Sequence, residues 1–263
     1  LSEQHVLDEL NALVRSAKLN NFYFAIHANH EWVFKPSANP FGVPTQSWAE
    51  HTNWGEPLQR YWVGWGSPLP EIGLKPNFES IAVRTKVEKD IALISNFIKN
   101  NILADAEAKK LFLGVDFGWE TDVGVAERPD NTALKIGYAA LSNRKNPKNG
   151  NYFGPGNEPD DFESELGNVA RDFVKFGVEK YLKHGIPRDY LFTHLVASAY
   201  DDTVRIKRTP LDADSAFGIN LGVSSFGSSF ALNRINNART GAPWFIMETD
   251  PETALGAAVT NVD

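Results

Sequence analysis

The sequence contains no cysteine, so disulfide bonds, thiolate metal ligands and cysteine nucleophiles are excluded. It has no apolar run near the roughly 20 residues that a helix needs to cross a bilayer. Its net charge is −7 and its lysines and arginines form no cluster, whereas nucleic-acid binding needs a concentrated basic surface. The motifs of serine-hydrolase elbows, P-loops and dinucleotide folds are also missing. We therefore expect neither a membrane segment nor a nucleic-acid partner.

Helical and strand patterns alternate along the chain, which is typical of a mainly parallel sheet covered by helices. Apolar residues at helical spacing predict helices over 2–18, capped by Ser2, over Phe78–Leu103, capped by Asn77, and up to Lys183 after a capping-box pair, Asp160 and Glu163. Further predicted helices cover Ser228–Arg239 and Pro251–Val259, and predicted strands cover Phe22–Ala28, Leu111–Trp119, Lys135–Leu141, Tyr190–Val196, Gly218–Val223 and Trp244–Glu248. No linker or repeat interrupts the pattern, so we expect one domain over residues 1–263.

The connections that leave the predicted strands are much longer than those that enter them. Three long connections, Asn29–Pro76, Thr121–Pro159 and Ala197–Phe217, follow strands. The carboxyl ends of parallel strands meet on one face, and long loops inside a compact domain are usually functional. The sequence therefore predicts that one face carries the function.

Two glutamates stand at the ends of predicted strands, Glu120 after an apolar run and Glu248 in the same position later in the chain. Hydrolysis of a glycosidic bond needs one protonated and one ionised carboxyl group in different environments. Glu120, beside Trp119, suits the general acid/base, and Glu248, after Ile246 and Met247, suits the nucleophile. Asp116 and Asp122 are the substitutes if Glu120 does not supply the acid.

Glutamates that end two parallel strands, with two strands between them, resemble the clan A retaining glycoside hydrolases. The segment Gly185–Tyr200 is also similar to larger polysaccharide-acting members of that group. The resemblance implies a (β/α)8 TIM barrel, incomplete in this chain, in which strands three to seven are recognisable. One departure is Trp119, which stands where most members have an asparagine. A carbohydrate substrate favours an extracellular or periplasmic protein, and we expect no cofactor and no metal.

A carbohydrate substrate would need side chains that stack on the sugar or bind its hydroxyl groups. Tryptophan offers a flat apolar face, and five of the seven tryptophans lie in the first long loop. Histidines near strand ends offer hydrogen bonds, although buried core histidines are an equally good interpretation. The predicted substrate-binding residues are His27, Asn29, Trp32, Trp119, His194 and Tyr200.

Two other functions stay open. A metal-dependent hydrolase, similar to amidohydrolases or deacetylases, would hold its metal through His, Asp and Glu side chains. His27 and His30 are the obvious pair, but a spacing of three places them on opposite faces of a strand. A carbohydrate-binding protein without activity is the third interpretation.

Overall fold

The computed structural model describes residues 2–28, 41–57, 74–118, 121, 123, 125–127, 133–194, 221–223 and 244–246. The strands are β1 (Phe24–Ala28), β2 (His51–Asn53), β3 (Glu56–Pro57), β4 (Phe112–Phe117), β5 (Val125–Glu127), β6 (Ala133–Lys135), β7 (Leu191–Thr193), β8 (Leu221–Val223) and β9 (Trp244–Ile246). Within the described residues, three parallel strands form a sheet in the order β1–β4–β7, and the other strands pair as β2–β3, β5–β6 and β8–β9. The helices are α1 (Glu3–Asn20), α2 (Ile81–Phe97), α3 (Ala106–Leu111), α4 (Tyr138–Ser142) and α5 (Phe162–Lys183).

The predicted (β/α)8 barrel is wrong. The described residues form an open α/β fold with a three-stranded parallel sheet and five α-helices. Alternating helices and strands with long exit loops are shared by every parallel α/β fold, so they do not determine whether a sheet closes. Closure depends on strand number, tilt and register, which are set between strands distant in sequence.

The prediction that the strands run parallel is confirmed for β1, β4 and β7. β1 and β7 both run parallel to β4, which lies between them. The chain therefore leaves all three strands at the same edge of the sheet. We call this side the carboxyl edge.

The long helices begin near their predicted starts, but two caps differ. Ser2 caps α1 as predicted, because its hydroxyl accepts a hydrogen bond from the His5 amide. Ser80, not Asn77, precedes α2, whose last turn continues as a π-helix over Ile98–Leu103. Asp161, not Asp160, caps α5 by accepting a hydrogen bond from the Ser164 amide.

Local structure also differs from prediction at three places along the chain. The predicted short strand over residues 135–141 is wrong, because Lys135 ends β6 and a helical turn, α4, begins at Tyr138. Leu111 ends α3 rather than starting β4, so the connection before β4 contains a helix. Tyr190 likewise lies in a 3-10 turn ahead of β7. The predicted helices after residue 227 lie outside the described residues.

α5 packs on one face of the sheet through aromatic side chains. Phe173 of α5 stacks on Phe78, with ring centroids 4.1 Å apart, and it also contacts Phe117 of β4. Phe117 lies directly against Gly177, where the missing side chain allows helix and strand to approach closely. The face of β4 that carries Phe117 is therefore filled by the helical layer.

The first long loop contributes to this core. Trp48 is completely buried, and Trp54 is partly buried with its ring edge-on to Tyr138. Trp48 therefore packs in the core and does not line a sugar-binding cleft. Trp32, Trp62 and Trp65 lie outside the described residues, so the predicted stacking role of Trp32 stays a prediction. Among the helices that the structure describes, none is long and apolar enough to cross a membrane.

Gly177→Ala is expected to lower the free energy of unfolding by about 1–3 kcal/mol, because the added methyl group would overlap the Phe117 ring. This loss should exceed the roughly 1 kcal/mol by which alanine favours a helix over glycine. Urea unfolding followed by circular dichroism measures it. Gly154→Ala is the control, since no atom lies within 4 Å of the position of its methyl group. Equal stability of the two variants would contradict the close packing of α5 on β4.

Candidate metal centre

Three polar side chains meet at the carboxyl edge of the parallel sheet. His27 lies in β1, Asp116 in β4, and His194 directly follows β7. His27 and Asp116 are register partners, and Asp116 is in turn the partner of Phe192. Since alternate residues of a strand point to the same face, His194 shares the face of Phe192. We call these three residues the edge cluster.

The contacts within the edge cluster are short. His27 Nδ1 lies 2.9 Å from Asp116 Oδ1, within hydrogen-bonding distance. The imidazole rings of His27 and His194 lie edge to face with their centroids 5.1 Å apart. One donor atom from each of the three residues can be chosen so that all lie within 4.8 Å of one another. Three donors this close can bind a single ion.

Burial of the edge cluster is uneven. Asp116 and His194 are buried, whereas the side chain of His27 is 42% exposed. A ligand can therefore reach the cluster from the side of His27, while the other two side chains are shielded from solvent. This combination of one open side and a shielded interior is common in ligand-binding sites.

His194 is the most unusual member of the cluster. Within the part of the chain that the structure describes, neither of its ring nitrogens has a hydrogen-bond partner, although the residue is fully buried. Burial, together with the neighbouring His27, lowers the pKa of the His194 imidazole to about 3. The ring is therefore neutral near pH 7 and keeps a lone pair on one nitrogen, which is the state that binds metals. A buried polar group without a partner costs stability, so a ligand that used this nitrogen would offset that cost.

The donor set fits a transition metal better than calcium or magnesium. Imidazole suits zinc, iron, copper and nickel, whereas calcium and magnesium prefer oxygen ligands. Two histidines and one carboxylate are also the ligand set of several catalytic zinc and iron sites, which keep further positions for water or substrate. The edge cluster can therefore hold a divalent transition metal and leave it open on the His27 side.

The sequence identified two of the three residues but not their shared role. His27 and His194 are among the predicted substrate-binding residues, and the structure brings them together. Asp116 follows from the sequence only as a substitute acid, and the metal alternative rested on His27 and His30. An aspartate inside the apolar run LFLGVDFG is the signal that points to Asp116, because a buried charge needs a partner.

The remaining predicted site residues lie outside the described residues: Glu120, Glu248, Asn29, Trp32, Trp119 and Tyr200. Their roles stay predictions. β4 ends at Phe117 and β9 ends at Ile246, so each glutamate follows a strand end closely in the sequence.

A second concave region, of about 450 Å³, lies between α2 and α5 and includes Arg84, Arg144 and Phe176. Arg144 binds Glu79, Glu165 and Asp172, and Arg84 binds Glu79. These arginines are thus used to hold the two helices and the loop after α4 together. The edge cluster is the better candidate for a functional site.

No protein-family model matches the chain, and a search of curated proteins finds no significant match.

Proposed function

We propose that the protein is a metal-dependent hydrolase whose metal is bound by His27, Asp116 and His194. The observation that carries this proposal is the buried, neutral His194 imidazole, with no hydrogen-bond partner among the described residues, beside a buried aspartate and a second histidine. Zinc is the first candidate because its common ligands are histidine nitrogen and carboxylate oxygen. The proposal replaces the expectation of a metal-free enzyme.

A zinc ion at such a site would polarise the substrate and make its bound water acidic near neutral pH. The protein residues would hold the ion and exclude water from one side of it. In the metal-free protein the contact between Asp116 and His27 orients the exposed imidazole, and a bound ion would replace the proton between Nδ1 and the carboxylate. Amide and ester bonds are the substrate class that this chemistry serves.

Metal removal tests the proposal. Purified protein is expected to bind about one equivalent of zinc, iron or manganese per chain, a value typical of a single catalytic site. The measurement is elemental analysis after dialysis. Chelation should abolish hydrolysis on a panel of amide, ester and acetylated carbohydrate substrates, and added zinc should restore it. A protein that binds no metal, or whose hydrolysis is unchanged by chelation, would contradict the proposal.

A glycoside hydrolase is the second candidate function. It is favoured by the position of β4, the central strand of the sheet, whose carboxyl end leads within three residues to Glu120. In that case His27 and His194 would contact sugar hydroxyl groups, and Glu120 and Glu248 would be the catalytic pair. Hydrolysis of a polysaccharide that persists after chelation would favour this candidate over the first.

A further inference from the structure

The loop between α4 and α5 contains the pair Asn149–Gly150, and no other asparagine of the sequence is followed by glycine. Both residues are exposed. No atom lies within 4 Å of the position that a methyl group on Gly150 would take, so no neighbouring group crowds this residue. Asparagine is among the thermally labile residues, and it loses its side-chain amide most readily where the next residue has no side chain to hinder the reaction.

Loss of this amide is a reaction between neighbours in the chain. The backbone nitrogen of Gly150 gives up its proton and bonds to the side-chain Cγ of Asn149, and the Nδ2 group leaves as ammonia. Water then opens the resulting succinimide ring at either carbonyl group, which gives aspartate or isoaspartate. The net reaction consumes one water and releases one ammonia, so it needs no oxidant and no further reactant.

The folded loop holds both reacting groups in other contacts. The Gly150 N–H donates a hydrogen bond of 2.8 Å to the Asn146 carbonyl oxygen. The Asn149 carboxamide is held at both ends, because its Nδ2 donates to Asn157 Oδ1 over 2.8 Å and its Oδ1 accepts from the Asn151 N–H over 2.9 Å. These contacts have to open before the carboxamide can turn toward the Gly150 nitrogen.

The side chain of Asn157 connects these contacts. Its Oδ1 also accepts a hydrogen bond from Nδ2 of the buried Asn146, and its own Nδ2 donates to the Tyr152 carbonyl oxygen over 2.7 Å. Removing this side chain therefore releases the Asn149 amide. We call Asn146, Asn149 and Asn157 the asparagine cluster.

We propose that Asn149 is a site of spontaneous deamidation and that the Asn157 side chain controls its rate. The reaction proceeds when the asparagine cluster opens. Its product carries a carboxylate in place of the amide, and a carboxylate has no N–H to donate to Asn157 Oδ1. The original contact cannot form again, so a local opening becomes a permanent change in the loop ahead of α5. This inference is independent of the proposed metal centre.

The test compares Asn157→Ala with the wild type and with Asn11→Ala during incubation in mildly alkaline buffer. Asn11 is exposed on α1 and its amide donates to the Leu7 carbonyl oxygen, so this control removes a similar side chain outside the loop. Asn157→Ala is expected to speed deamidation of Asn149 about five-fold, the factor that corresponds to the net contribution of one hydrogen bond. Asn11→Ala should react at the wild-type rate. Mass spectrometry of proteolytic peptides measures the conversion, and chromatography separates the aspartate and isoaspartate products.

Wild-type protein unfolded in urea provides the second measurement, which needs no variant. The unfolded chain has no asparagine cluster, so Asn149 should react at least about five-fold faster than in the folded protein. Unfolded Asn157→Ala should react as fast as the unfolded wild type. If Asn157→Ala does not fold, the comparison of folded and unfolded wild type decides alone.

No conversion of Asn149 in the unfolded chain would show that this residue is not a deamidation site. Equal rates in the folded wild type and in the unfolded chain, or in the folded wild type and folded Asn157→Ala, would show that the asparagine cluster does not control the reaction.

Discussion

His194→Ala is expected to lose zinc during dialysis, with an affinity at least about 100-fold below that of the wild type. Replacing residues that only support metal ligands already costs 10–100-fold, and this variant removes a ligand itself. The measurement is zinc content by elemental analysis, together with calorimetric titration of the metal-free protein. Hydrolysis should fall in proportion to bound metal.

His5→Ala is the matched control, because His5 is exposed on α1. It should bind zinc as the wild type does. Asp116→Asn provides a second variant that keeps the shape of the side chain and removes its charge, and it should also lose zinc. Wild-type zinc affinity in both His194→Ala and Asp116→Asn would show that the edge cluster is not a metal site.

Glu50→Gln is expected to change how stability depends on pH. Glu50 is fully buried, and burial raises the pKa of its carboxyl group from 4.5 to about 7. The backbone N–H groups of His51 and Ala140 and the charge of Lys75 oppose this shift only in part. Folding therefore favours the protonated form.

The direction in which stability changes with pH follows from proton binding by Glu50. Between pH 4.5 and 7 the folded protein holds a proton on Glu50 that the unfolded chain has lost, so stability falls as pH rises through this window. The loss is complete once the pH is well above the folded-state pKa of about 7. A pKa shift of this size corresponds to about 3 kcal/mol in the free energy of unfolding.

Urea unfolding at several pH values from 4 to about 8 measures the effect, since the window is bounded by the two pKa values. Glu50→Gln has no ionisable group at this position, so its stability should exceed that of the wild type increasingly between pH 4.5 and 7. Glu9→Gln, on the exposed face of α1, should follow the wild-type curve. Parallel curves for Glu50→Gln and the wild type would contradict a protonated Glu50.

The sequence predicts the main elements because their patterns are local. Helical spacing locates α1, α2 and α5, and apolar runs locate β1, β4 and β7 within a few residues of their ends. The observed ends of these elements differ from the predicted ends where a single local hydrogen bond sets the cap. Asp160, for example, pairs with Lys148, and its neighbour Asp161 is the cap of α5. The class of fold, parallel α/β, is likewise readable from alternation alone.

Local patterns fail where two structures suit the same residues. The sequence predicts a strand over residues 135–141 because this segment is short and mostly apolar. In the structure, Ala139, Ala140 and Leu141 are instead buried in the helical turn α4. Burial on all sides removes the periodicity that separates helix from strand. The packing of α4 against α5 decides the outcome, and no local pattern contains it.

By itself the sequence determined that this is an α/β protein, with polar residues at the ends of buried strands and no cysteine chemistry. Only the tertiary structure decided that the sheet is open in the described residues, and that His27, Asp116 and His194 form one cluster. The reason is physical. Periodicity reports which face of an element is buried, whereas the pairing and register of strands arise from contacts between residues far apart in the chain. His27 and Asp116 are 89 residues apart, and only the register of β1 on β4 brings them within 2.9 Å.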